Sequence, residues 1–124
     1  MVIEKPIRLA GSKGSKELIA LFDSGSTYSC IKPELANELG RSEPLPEPMD
    51  FGTAEEERKV TAKERVSLNF HINSFRLSDE FMLIEKLSDD VIIGAKTLQA
   101  WRIKLDFEHD EVIVDPRVAK LRLL

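Results

Sequence analysis

The sequence predicts an all-β domain with two short helices, and three observations carry that prediction. Val66-Ser67-Leu68-Asn69-Phe70-His71-Ile72 alternates apolar with polar side chains, the period of a half-buried strand. The other apolar stretches, such as Leu18 to Phe22, Phe81 to Ile84 and Val91 to Ile93, are short and bounded by turn residues or charges. Helical punctuation is confined to two places, Lys32 to Gly40 and Ala95 to Trp101.

Taken in order, Val2 to Leu9 reads as a strand whose Pro6 places it at a sheet edge. Ala10 to Lys16 is a glycine- and serine-rich turn, and Glu17 to Phe22 returns as the second arm of a hairpin aimed at Asp23. In Lys32 to Gly40, a proline near the start, leucines four apart and a closing glycine predict a helix. Residues 41–50 hold three prolines and read as an extended connector. Phe51 to Val60 has apolar ends and a charged middle, which suits an exposed hairpin or a solvated loop equally. Strands follow over Val66 to Ile72 and Phe75 to Ile84, then the short buried strand Val91 to Ile93 and the helical turns of Ala95 to Trp101. Ile103 to Phe107 and Glu111 to Val114 close the chain as a last hairpin.

The length of 124 residues supplies the core of one domain, spanning residues 1–124, and is short for two. With 42% hydrophobic and 32% charged residues the composition is that of a soluble globular chain, and no apolar run is long enough to span a bilayer. The net charge of -4, with acids and bases interleaved, provides no basic face for nucleic acid or anionic lipid. Met1 to Pro6 lacks the apolar core of a secretory signal, so a cytoplasmic location is expected.

The chemistry concentrates in Ala20-Leu21-Phe22-Asp23-Ser24-Gly25-Ser26, where an apolar strand delivers one carboxylate into a turn of small residues. Asp23 is the candidate catalytic residue, although Asp-Ser-Gly alone is also ordinary turn chemistry. Cys30, the single cysteine, excludes an internal disulfide and reads as a buried structural thiol. His71 falls in the polar phase of its strand and faces solvent. Asp106, Glu108, His109, Asp110 and Glu111 match neither an EF-hand nor a zinc spacing, and no metal or other cofactor is expected.

Leu21 to Ser26, together with Val91-Ile92-Ile93-Gly94 and the helix after it, resembles the retropepsin-like (retroviral-type) aspartic proteases, with a pattern closer to their cellular members. The resemblance spans nearly the whole chain and implies a single-lobed closed barrel with a flap hairpin, assembled as a homodimer. It makes Asp23 the catalytic acid, with Ser24, Gly25 and Ser26 beside the substrate. Phe51 to Val60 becomes the flap, with Gly52, Thr53 and Ala54 contacting substrate and Glu55-Glu56-Glu57 near its tip. Ile92 and Ile93 pack beneath the active-site loop, one of them reaching a substrate pocket. Thr27 and Ala95 stand where viral members carry a dimer-stabilising acid and arginine, so the dimer must use other contacts.

Hydrolysis by this route needs two carboxylates sharing one proton around a water. The chain carries one such motif, so the second Asp23 must come from a symmetry mate. The implied function is an aspartic endopeptidase acting on a peptide or protein. Its rival is a catalytically silent dimerisation or peptide-binding module of the same fold. Val112 to Val114 and Val118 to Leu124 are apolar, and the resemblance implies that the chain ends help join the two subunits in an intersubunit sheet; a frayed tail over Arg117 to Leu124 is the alternative.

Overall fold

The computed structural model describes residues 2–52 and 59–119. Nine strands and three short helices occupy them: β1 (Val2–Gly11), β2 (Gly14–Asp23), β3 (Cys30–Ile31), α1 (Pro33–Leu39), β4 (Glu43–Gly52), β5 (Lys59–Ile72), β6 (Phe75–Leu83), β7 (Val91–Ile93), α2 (Ala95–Ala100), β8 (Lys104–Asp106), β9 (Glu111–Ile113) and α3 (Pro116–Ala119). Among the described residues no helix is long and apolar enough to cross a membrane.

The large sheet runs β1-β2-β7-β3-β6-β5-β4, and a further pairing of β1 with β5 closes its first six strands into a barrel. Closure works because one edge of β5 serves two neighbours in succession. Lys59–Arg65 pairs with β4, whereas Asn69–His71 pairs with β1. β4 is therefore an outgrowth of the barrel, and β4 with the first part of β5 makes the two arms of the expected hairpin, in register from Met49↔Ala62 to Gly52↔Lys59. Thr53, Ala54 and Glu55 to Glu57 lie outside the described residues.

Burial follows the alternation read from the sequence: Val66, Leu68, Phe70 and Ile72 are buried while Ser67 is exposed. These residues join Ile3, Leu9, Phe22, Ile31, Phe81 and Ile93 inside the barrel, where Phe70 meets Phe81 edge-on at 6.4 Å. A second cluster of Cys30, Ala62, Met82 and Ile84 lies on the opposite face of the sheet, with Leu45, Val60 and Ile92 packed against it. The base of the β4–β5 hairpin thus folds down over the outside of the barrel.

Two expectations need correction. The proline-rich connector is a strand, because an edge strand tolerates residues without N–H donors; its ladder with β5 skips from Pro44 to Met49. At the chain end Val118 lies not in a strand but in Pro116–Ala119, a third helical turn. Asp115 caps it, its Oδ1 accepting the Arg117 N–H at 2.9 Å, with Pro116 at the first helical position. Residues 120–124 lie outside the described residues.

Candidate active site

Asp23 is the last residue of β2 and is half-buried. Strand alternation sends Ala20 and Phe22 into the core, leaving Ile19, Leu21 and Asp23 on the outer face. The chain then turns back, with the Ser26 N–H donating to the Asp23 carbonyl at 3.2 Å and the Gly25 N–H donating to Asp23 Oδ1 at 2.8 Å. Gly25 is the carboxylate's single hydrogen-bond partner among the described residues. Ser24 and Gly25 are exposed, whereas the Ser26 hydroxyl is turned onto the Tyr28 carbonyl at 2.9 Å.

The loop is held from below by residues far away in sequence. β7 inserts between β2 and β3, parallel to the first (Leu21↔Ile92, Phe22↔Ile93) and antiparallel to the second (Cys30↔Ile92). Gly94 follows at the point of tightest approach: a Cβ there would stand 2.5 Å from the Tyr28 carbonyl oxygen and 2.7 Å from that of Ser26. Immediately beyond, the N–H groups of Ala95 and Lys96 donate to the Ser26 and Thr27 carbonyls at 2.6 and 3.0 Å. The start of α2 is thereby stitched to the loop that carries Asp23, and the Lys96 ammonium lies 5.1 Å from the Tyr28 ring centroid.

The phase of β7 separates the two isoleucines. Ile93 is 0% exposed and packs in the barrel core beside Phe22, so it cannot reach a substrate from that position. Ile92 is half-buried on the outer face, in register with Leu21 and on the same face as Asp23. Leu21 was not singled out by the sequence reading, yet it lies two residues before Asp23 in a strand, which by itself puts both on one face. Gly52 ends β4 on the hairpin arm.

A buried polar group beneath the loop also escaped the sequence reading. Ser29 and Thr97 share a hydrogen bond at 2.6 Å, Ser29 Oγ accepts the Gly94 N–H at 3.0 Å, and Thr97 donates to Asp79 Oδ2. Small hydroxyls 68 residues apart leave no pattern in a sequence. Asp79 also accepts the Glu80 N–H on Oδ1 at 2.7 Å. Its burial pushes the carboxyl above the usual range, against the Glu80 N–H and Lys96, which pull it down. Because the folded form holds the proton more tightly, the charge on Asp79 subtracts stability as pH rises from the unfolded value of 3.8 through the folded one. Asp79→Asn should therefore raise the melting temperature at about pH 7 and give no such gain at about pH 3, measured by circular dichroism.

Cys30 is 3% exposed, and burial pushes its thiol up to about 12. A thiol reagent at about pH 8 should leave it unmodified in the native protein and label it stoichiometrically in denaturant. His71 is half-buried rather than fully solvent-facing, far along the barrel from Asp23, and burial followed by the charges of Arg8 and Arg76 holds its imidazole below the usual value. In the acidic turn, His109 Nδ1 lies 2.8 Å from Asp106 Oδ2. Among the described residues, no three His, Cys, Asp or Glu side chains are placed to hold a metal ion.

No curated protein matches the sequence at a significant level. Among solved structures, the chain is similar to the retroviral protease-like domain of Ddi1 from Leishmania major, with a TM-score of 0.71 and 18% identity over 94% of this chain and 90% of that one. It is also similar to the EIAV protease complexed with the inhibitor HBY-793, with a TM-score of 0.63 and 15% identity over 86% of this chain and 94% of that one. Those likenesses extend to the barrel as a whole and bear out a retropepsin-like fold. A family model described as aspartyl protease matches residues 6–97, a span running from β1 through the Asp23 turn and Gly94 into α2, and the chain belongs to that family.

Proposed function

We propose that the protein is a homodimeric aspartic endopeptidase in which Asp23 of each subunit shares one proton around the hydrolytic water. The observation that carries this reading is the presentation of Asp23: a lone carboxylate at a strand end, oriented by the Gly25 N–H at 2.8 Å in a chain of the aspartyl protease family. One carboxylate takes the water's proton while the other, protonated, polarises the scissile carbonyl.

Leu21 and Ile92 supply apolar surface beside Asp23 for substrate side chains. Ser24, Gly25 and Ser26 flank the peptide, and the hairpin bearing Gly52, Thr53 and Ala54 covers it. Exposed Val2 and Ile113, at 48% and 43%, offer apolar contact to a second subunit. The proposed substrate is an extended peptide or protein segment, and the lone reduced Cys30 suits a cytoplasmic setting.

The test is cleavage of a peptide library read by mass spectrometry, with activity followed over serial dilution. Cleavage that a statine-type inhibitor blocks, and whose specific activity falls as the dimer dissociates, is expected. A chain that sediments as a dimer and cleaves nothing would overturn the catalytic reading in favour of the silent module.

A further inference from the structure

We infer that Asp79 is a positioning residue: as the terminal acceptor of a one-directional hydrogen-bond chain through Thr97 and Ser29, it fixes the loop that presents Asp23. Its effect on turnover rests on the protease reading; its effect on the loop does not.

The direction of the chain follows from counting hydrogens. Each hydroxyl carries one. Thr97 spends its hydrogen on Asp79 Oδ2, so across the 2.6 Å contact between Ser29 and Thr97 it is Ser29 that donates. Ser29 in turn accepts the Gly94 N–H at 3.0 Å. Gly94, Ser29, Thr97 and Asp79 therefore form one donor-to-acceptor sequence ending on a carboxylate, which when ionised only accepts. Ser29 and Thr97 are 3% and 1% exposed, so water does not replace a lost partner.

The chain joins β6 to α2 and to the far end of the loop that starts at Asp23, and the Met82 N–H grips the Ser29 carbonyl at 2.9 Å from the same side. Protonation of Asp79 does not reverse this order, because a neutral carboxyl carries its proton on one oxygen and still accepts from Thr97 on the other. The charged groups acting on Asp79 are Glu80, itself 3.7 Å from Arg65, and Lys96. Burial outweighs them, so Asp79 takes up its proton above the ordinary aspartate range.

The experiment compares the parent with Asp79→Leu, Asp79→Asn and Thr97→Val, reading amide hydrogen-exchange protection at Gly94, Ala95 and Lys96 together with kcat and KM. Asp79→Leu and Thr97→Val should each lower protection and kcat by about tenfold, the scale of one lost buried hydrogen bond, with KM within about twofold. Asp79→Asn, whose amide oxygen still accepts from Thr97, should recover most of both. Should Asp79→Leu fail to fold, Thr97→Val and Asp79→Asn decide. If the parent cleaves nothing, the exchange measurement decides alone. Protection in Thr97→Val equal to that of the parent, or Asp79→Asn as loose as Thr97→Val, would overturn the inference.

Discussion

Asp23→Asn should lower peptide hydrolysis by about 10³-fold to 10⁴-fold or more, because an amide neither takes a proton from water nor holds the one shared across the pair. Fold and assembly should persist. The Asn oxygen can still accept the Gly25 N–H that holds Asp23 Oδ1 at 2.8 Å, and Phe22, the neighbour that anchors the strand end, stays in the core. A mixing experiment tests the two-chain site. Once equal amounts of parent and variant have exchanged subunits, a site built from two copies of Asp23 leaves about one quarter of the activity of an all-parent sample, whereas a site within one chain leaves about one half. Parental activity in Asp23→Asn would remove Asp23 from the mechanism.

Gly94→Ala should cost about 3 kcal/mol of stability and lower the melting temperature by about 10 °C. The added Cβ would meet the Tyr28 carbonyl oxygen and carbon at 2.5 and 2.6 Å and the Ser26 carbonyl oxygen at 2.7 Å. All three are backbone atoms, so no side chain can swing away to relieve the overlap. The loop itself must move, and it is the loop whose Ser26 and Thr27 carbonyls are bonded to Ala95 and Lys96. Whatever fraction stays folded should bind transition-state mimics more weakly, since Asp23 moves with the loop. A melting temperature within about 2 °C of the parent would mean that the loop yields without cost.

Much of the fold was legible because it is written in short-range patterns. Alternation from Val66 to Ile72 marked a strand and its buried face, and Pro33 with Gly40 marked the ends of α1. The Asp23 turn was equally plain, since an apolar run ending in Asp-Ser-Gly is a local signal. β4 was hidden because its pairing with β5 is a tertiary fact that overrides three prolines. α3 did have a local signal, Asp115 followed by Pro116, which the apolar residues around it mask. Three residues of β7 are too few to show a phase, and only their register with β2 tells Ile92 from Ile93. Ser29, Thr97 and Asp79 were invisible for a different reason: polar groups satisfied by one another across the fold impose no periodicity.

The insertion of β7 between β2 and β3 has a kinetic consequence. Leu21 meets Ile92, and Cys30 meets Ile92, across some of the widest sequence separations in the barrel. Closing so long a loop is an entropic cost met before any contact rewards it, and such pairings form late. The β1–β2 hairpin can close early, from neighbouring residues joined at Gly11↔Gly14, but it leaves the turn after Asp23 without its supports. A chain emerging from the ribosome thus carries Asp23 for some seventy residues of synthesis before Val91 to Thr97 arrive to set its geometry. Whatever chemistry the carboxylate performs waits until β7 and the start of α2 have been made, because only they set the loop that presents it.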